Sequence, residues 1–227
     1  MFVTGIDGCR GSWVSFKVDL ASSKTSVELV DLPAILRNKP EDLAILAVDS
    51  PIGLLDSSRA CDKAARKLLG QPRGTSVFAA PCRASLSAKN HAAATAKNLR
   101  ITGRGLSQQA WGISPKIKEV DDAITSERQR WVFEVHPEVS FWALAGEHPM
   151  SYGKKTQAGI AERLDSLQSV FSNIERHLQN RPAKVGKDDL LDAAAAVWTA
   201  RRIYKGTARR LCEAERDANG LEAVIWY

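Results

Sequence analysis

The sequence predicts a single α/β domain in which helices flank a central mixed sheet, and three patterns carry this prediction. Two runs rich in β-branched and aromatic residues surround a turn at Gly8 and Gly11, as in a strand hairpin. The run Leu43–Val48 is apolar on both faces, which is typical of a strand buried at the centre of a sheet. Residues 154–180 carry apolar side chains at alternating spacings of four and three, which predicts one long amphipathic helix.

The N-terminal half is predicted to bring two acids together. The first strand of the hairpin ends at Asp7, and a third strand is expected over Thr25–Val30, where polar and apolar residues alternate. A short helix follows, and then the buried strand Leu43–Val48 ends in Asp49. A three-stranded meander, a helix and a buried strand form an α/β layout in which Asp7 and Asp49 lie side by side. A role for Asp7 in shaping the turn is the simpler alternative.

Residues 54–127 are expected to form an inserted, mainly helical lobe. One helix begins at Ser57 or Ser58 and ends before Gly70, and a small Ala-rich helix covers residues 88–99. The stretch 100–118 interleaves basic residues with glycines and Trp111. This pattern fits a lobe that contacts phosphates, and it fits a solvated charged loop equally well.

The C-terminal half supplies the remaining acids. Residues 131–136 predict a strand that carries Glu134, and Pro137 suits the first turn of a following helix. If Glu134 faces inward it needs a partner or a metal, whereas on an exposed face it needs neither. A last strand is expected over residues 221–227.

An Ala-rich helix is predicted between Gly186 and Gly206, with three acids in its first turns: Asp188, Asp189 and Asp192. Acids at a helix start commonly cap the helix and compensate its dipole. Asp192 lies one turn deeper, before four alanines, and is harder to explain in this way. The small alanines let the helix lie close to the sheet, which brings its acids near the strand ends.

Composition limits the class of protein. No apolar run among the 227 residues approaches the roughly 18 of a membrane span, and the N-terminus lacks the pattern of a signal peptide. The four cysteines are scattered without a CxxC, which argues against a zinc site and a disulfide framework and favours a cytoplasmic protein. The net charge of +6 is weak support for a nucleic-acid partner. Oligomeric state stays open, a dimer included.

Four acidic positions therefore lie at strand ends, on a strand or at a helix start of the predicted fold: Asp7, Asp49, Glu134, and Asp189 or Asp192. Gathered carboxylates repel one another unless cations join them. Hard oxygen ligands suit Mg²⁺ or Mn²⁺, and two such ions about 4 Å apart activate a water in phosphodiester hydrolysis. The sequence thus predicts a two-metal carboxylate site.

These motifs resemble the ribonuclease H-like superfamily. The evidence is Gly-Ile-Asp7-Gly opening a hairpin, Asp49 after a buried strand, and Lys-Asp-Asp189-Leu-Leu-Asp192-Ala opening an Ala-rich helix. The last motif is similar to the His-Asp-x-x-Asp-Ala motif of Holliday-junction resolvases, with Lys187 before the first acid, so the register of the acids stays open.

More closely, the chain resembles the family named domain of unknown function 429, described as predicted ribonuclease H-like nucleases. The matching stretches run along nearly the whole chain: Gly5-Ile-Asp-Gly-Cys-Arg-Gly, Val48-Asp-Ser-Pro-Ile-Gly, Ser76-Val-Phe-Ala-Ala-Pro-Cys-Arg, Lys116-Ile-Lys-Glu-Val-Asp, Glu134-Val-His-Pro-Glu-Val-Ser-Phe-Trp and Lys154-Lys-Thr. The resemblance implies a ribonuclease H-like fold and a metal-dependent nuclease.

Carried over residue by residue, the resemblance implies a set of metal ligands: Asp7, Asp49, and Asp189 or Asp192. Glu134 is an additional candidate ligand, and His136 is a candidate for proton transfer. The candidate phosphate-binding residues are Arg10, Arg83, Arg104 and Lys116.

Two other functions remain open from the sequence. One is a phosphotransferase of the related actin-like fold, although a second strand–turn repeat with its own Asp-Gly loop is missing. The other is a nucleic-acid-binding module without catalysis, although Asp7, Asp49 and Asp192 are all intact. The sequence leaves open whether the substrate is RNA, DNA, a hybrid or a junction.

Overall fold

Five strands form the central sheet in a computed structural model that describes residues 1–227. Their order across the sheet is β3-β2-β1-β4-β5. The first three form an antiparallel meander, whereas β4 is parallel to β1 and β5 is parallel to β4. The strands are β1 Phe2–Cys9, β2 Ser12–Asp19, β3 Thr25–Val30, β4 Leu43–Val48 and β5 Val132–Glu134. The predicted α/β class, hairpin, third strand and buried strand are confirmed.

Eight α-helices and a small two-stranded sheet complete the chain. The helices are α1 Leu32–Arg37, α2 Ala60–Leu69, α3 His91–Thr102, α4 Gln108–Asp121, α5 Pro137–Leu144, α6 Gln157–Gln168, α7 Ile174–Gln179 and α8 Lys187–Tyr204. The small sheet pairs β6 Glu215–Arg216 with β7 Glu222–Ala223. The helices predicted after Pro137 and Gly186 are confirmed, and only a short part of the predicted C-terminal strand forms. No helix is long and apolar enough to cross a membrane.

Helix α8 packs on one face of the sheet, and helices α1 and α4 cover the other. The first core joins β1 and β2 to the alanines of α8 and to α7, with Phe16 and Phe171 in ring contact at 5.3 Å. The second core joins Ile6 and Trp13 to α1 and to Val120 at the end of α4. The sheet therefore lies between two layers of helices.

The close approach of α8 depends on Gly5 in β1. A Cβ atom at this position would lie 2.1 Å from the backbone N of Val197 and 2.2 Å from the backbone O of Ala193. Ala193 and its alanine neighbours are completely buried. The prediction that small alanines let this helix lie close to the sheet is confirmed.

The prediction of one helix over residues 154–180 is wrong, because the helix is interrupted between α6 and α7. Phe171 N bonds to Leu167 O, and Ile174 N bonds to Phe171 O, so the chain turns tightly after α6. This turn buries both Phe171 and Ile174 in the first core. Tertiary packing here overrides a continuous helical pattern.

The stretch 100–118 is not a solvated loop, since most of it lies in α4. Ser107 caps this helix through its hydroxyl, which accepts a hydrogen bond from Ala110 N. Pro115 lies inside the helix, on its exposed side. A proline in a glycine-containing stretch argues against a helix from sequence alone, which is why the pattern misleads.

Candidate acidic active site

Three carboxylates from three different elements converge at one edge of the sheet. Asp7 lies near the end of β1 and is 7% exposed, and Asp49 follows β4 directly. Because β1 and β4 are parallel neighbours, with Asp49 N donating to Ile6 O, both acids leave the sheet at the same edge. Asp192 reaches this edge from the second turn of α8 and is 1% exposed.

Burial and the neighbouring negative charges raise the pKa values of Asp7 and Asp49. The pKa of Asp7 lies well above its usual value, first because of burial and then because of the charges on Asp49 and Asp192. Burial likewise raises the pKa of Asp49 to about 7, and Asp192 adds to this effect while Lys154 opposes it. The folded chain thus concentrates negative charge where water cannot screen it well, and this arrangement favours a bound cation.

Lys154 already supplies one positive charge to the cluster. Its Nζ lies 2.5 Å from Oδ2 of Asp192, and the charge of Asp192 is the main reason why the pKa of Lys154 is raised. The other carboxylate oxygen of Asp192, Oδ1, is buried and has no hydrogen-bond partner. Sequence reasoning missed Lys154 as a site residue, although the stretch that begins with it was part of the family resemblance.

Asp189 lies at the same edge but has a second role. Its Oδ2 accepts a hydrogen bond from Gly186 N at 2.9 Å, which helps to cap α8. Burial raises the pKa of Asp189, and both Asp189 and Asp188 line the cavity above the cluster. Of the three acids at the start of this helix, Asp192 is therefore the one that lies deepest and caps nothing.

The cluster forms the floor of a cavity of about 360 Å³. Its acidic floor includes Asp7, Asp49 and Asp192, and its walls include the side chains of His136, Glu138, Lys116, Trp13, Phe78, Ile113 and Ile117. A volume of this size lies at the lower end of the range for pockets that hold small ligands, roughly 300–1,000 Å³.

His136 lies in the cavity wall as a neutral imidazole. Burial, reinforced by the charge of Lys154, lowers its pKa to about 4. Its Nδ1 is buried and has no hydrogen-bond partner. The structure therefore places this candidate for proton transfer in the cavity lining, as a neutral ring with one unpartnered nitrogen.

Glu134 does not face the acidic cluster, and the expectation that it is an additional ligand there is corrected. Its carboxylate accepts a hydrogen bond from Ile52 N at 2.7 Å and pairs with the buried guanidinium of Arg59. Glu134, Cys61 and Asp62 lie together within 4.8 Å. Since Arg59 also approaches Asp62 at 3.3 Å, this group already contains its cation and forms a buried ion-pair cluster.

The glutamate that does line the cavity is Glu138, four residues further along in the first turn of α5. One of its oxygens accepts a hydrogen bond from Nη2 of Arg163 at 2.6 Å, and the other, Oε2, is buried without a partner. Burial raises the pKa of Glu138 despite the opposing charge of Arg163. Glu138 belonged to the same family-like stretch as Glu134, but only the fold distinguishes the two.

Of the four basic residues predicted to bind phosphate, only Lys116 lines the cavity. Its Nζ donates to Ser12 O and lies 4.3 Å from the centre of the Trp13 ring. Arg83 instead pairs with Asp121 and Asp217, so its guanidinium is engaged between other segments. The two others are exposed and outside the cavity lining: Arg10 and Arg104.

The residues of the cluster fit divalent metal ions. All the donors on the cavity floor are carboxylate oxygens, which Mg²⁺ and Mn²⁺ prefer. Two buried oxygens lack partners, Oδ1 of Asp192 and Oε2 of Glu138, and a cation would satisfy such atoms. The residues that would hold the ions are Asp7, Asp49 and Asp192, with Asp189 and Glu138 at the rim.

Comparison with known families gives one match. The profile of a family described as protein of unknown function (DUF429) matches residues 5–217. This range includes every acid of the cluster, Lys154, His136 and both cavity walls. Neither a search of curated proteins nor a search of solved structures finds a match.

Proposed function

This chain belongs to the DUF429 family, and we propose that it hydrolyses phosphodiester bonds of a nucleic acid with Mg²⁺ or Mn²⁺ bound at the acidic cluster. The observation that carries this proposal is the convergence of Asp7, Asp49 and Asp192 in a cavity, where burial and mutual repulsion raise pKa values and one carboxylate oxygen lacks a partner. Titratable groups in a cavity whose pKa values are shifted by burial and by specific charges are typical of functional sites.

The topology supports a ribonuclease H-like fold for this domain. The antiparallel meander of β1, β2 and β3 lies beside the parallel strands β4 and β5. Asp7 lies near the end of β1, and Asp49 directly follows the adjacent parallel strand β4. The third acid comes from a helix packed across those strands. This is the arrangement that the sequence resemblance implied.

The metal ions, when bound, would activate a water molecule and stabilise the leaving oxygen. The carboxylates of Asp7, Asp49 and Asp192 would hold the ions. Lys154 holds one oxygen of Asp192 in place and reduces the repulsion within the cluster. Arg163 does the same for Glu138. These two cations fix the direction of the carboxylates before any ligand enters.

Two further side chains act on the substrate. Neutral His136, with its free Nδ1, accepts a proton or donates a hydrogen bond at the cavity wall. Lys116 supplies a positive charge in the cavity lining that attracts a phosphate group.

The test is hydrolysis of single-stranded and double-stranded DNA and RNA in Mn²⁺, with Asp7→Asn as the critical variant. Asparagine keeps the shape of the side chain but removes the charge that holds the metal. We expect Asp7→Asn to lose at least 100-fold in rate while its melting curve remains cooperative. The matched control is Asp165→Asn on α6, where the acid is exposed and outside the cavity. A well-folded Asp7→Asn protein with most of its activity would refute the proposal.

A further inference from the structure

Helix α4 forms a wall over the acidic cluster. Its residues Gln109, Ile113, Lys116 and Ile117 all line the cavity. These positions differ by four, three and one, so they lie on one face of the helix. The floor of the cavity is acidic, whereas this wall combines the apolar side chains of Ile113 and Ile117 with the polar side chains of Gln109 and Lys116.

The wall is fixed to the rest of the domain. Nε1 of Trp13 donates to Oε2 of Glu119 at 2.7 Å, and Nζ of Lys116 donates to Ser12 O. Val120, at the end of the helix, is completely buried in the second core. Three independent contacts therefore hold α4 over the ends of β1 and β2, and widening the cavity would require breaking them.

Phe78 adds an aromatic ring to the cavity lining. Phe78 lines the cavity and is only partly buried, so part of its ring remains available to a ligand. Ile113 adds apolar surface to the same cavity, whereas Trp13 is 2% exposed and lies under the ammonium group of Lys116. An acidic floor suits a phosphate with its metal ions, and an aromatic face suits a nucleobase, since every base has a flat face that stacks.

From this we propose that the cavity takes one unpaired nucleotide of a single strand, with its base against Phe78 and its phosphate towards the acidic cluster. The inference rests on the proposed function and adds the substrate class. A cavity of about 360 Å³ under a fixed helix accommodates one nucleotide unit. A base that is paired in a duplex keeps its faces stacked on neighbours and its partner strand attached, so it cannot contact Phe78 in the cavity.

The test compares affinities for a labelled single-stranded oligonucleotide, for the same strand in a blunt duplex and for a 5′-mononucleotide. Binding is followed by fluorescence anisotropy, with competition for the mononucleotide, in Ca²⁺, which takes oxygen ligands in loose geometry. We expect the single strand to bind at least tenfold more tightly than the duplex, and we expect the mononucleotide to compete with the single strand for the cavity. Phe78→Ala should weaken single-strand binding about 5- to 100-fold, the range for loss of one stacked base.

Trp111→Ala is the matched control, because Trp111 lies on α4 outside the cavity lining. Ile113→Ala, a smaller truncation of the same wall, replaces Phe78→Ala if that variant does not fold, and we expect a loss of at least threefold. Equal affinity for the duplex, unchanged affinity in a folded wall variant, or no competition by the mononucleotide would each overturn the inference. Asp7-dependent hydrolysis of a duplex would overturn the single-strand inference while it preserves the proposed function. Absence of both binding and hydrolysis would refute the inference and the proposed function together.

Discussion

Replacing Asp49 by asparagine should make the metal-free protein more stable at high pH and less dependent on pH. The pKa of Asp49 is raised from 3.8 to about 7, first by burial and then by Asp192. An acid with a higher pKa in the folded state binds its proton more tightly there, so stability falls as pH rises from the unfolded towards the folded pKa. Because asparagine does not titrate, the Asp49→Asn variant does not lose this stability as pH rises.

The magnitude follows from the pKa. Between pH 5 and pH 8 the ionisation of Asp49 would cost about 3 kcal/mol at 1.36 kcal/mol per pH unit up to its pKa of about 7. Asp49 is only partly buried, so solvent screening reduces the expected cost to about 2 kcal/mol. For a chain of this size, about 2–4 °C per kcal/mol makes the effect about 4–8 °C.

The assay is thermal unfolding of wild type and Asp49→Asn in chelator, at pH 5 and pH 8 and at equal ionic strength. The difference in Tm between the two proteins should grow by about 4–8 °C in favour of the variant between the two pH values. Asp165→Asn, at an exposed position on α6, makes the same change in net charge and should show no such growth. A Tm difference that is equal at both pH values would refute the reasoning.

Two further predictions separate folding from the acidic cluster. Glu134→Gln should destabilise the protein by about 3 kcal/mol in urea unfolding, because it leaves the buried guanidinium of Arg59 partly unpaired. Mn²⁺-dependent hydrolysis by the folded variant should persist. Loss of hydrolysis would show that Glu134 belongs to the active site. Gly5→Ala should lower the free energy of unfolding by more than about 4 kcal/mol or abolish folding, since its Cβ would collide with the backbone of α8. Gly112→Ala is the control: a Cβ there has nothing within 4 Å, so this change should be neutral or stabilising. A soluble Gly5→Ala protein with an unchanged melting curve would contradict the packing described for α8.

The acids that the sequence located correctly share one feature: each follows a strong local pattern. Asp7 and Asp49 end apolar runs, and the buried strand Leu43–Val48 requires a central place in the sheet. Parallel neighbours then put both acids at one edge. Asp192 precedes four alanines, whose size allows the helix to approach Gly5.

The residues that sequence reasoning missed or misplaced depend on contacts between distant segments. Lys154 meets Asp192 across 38 positions, and no local pattern distinguishes it from a surface lysine. Glu134 meets Arg59 across 75 positions, and a strand pattern does not reveal which partner a buried glutamate finds. Arg83 likewise is engaged by Asp217, 134 positions away. Charge pairing in the tertiary structure determines where these three side chains lie, and sequence periodicity does not encode that pairing.

The most direct measurement is the location of Mn²⁺ by anomalous diffraction from a crystal soaked in that ion. The account predicts density within about 2–2.6 Å of carboxylate oxygens of Asp7 and Asp49, with Asp192 adjacent. The same soak of Asp7→Asn crystals should show weaker density or none. Density at the buried Cys61, Asp62 and Glu134 group alone, or no density at the acidic cluster in saturating Mn²⁺, would contradict the metal-dependent account.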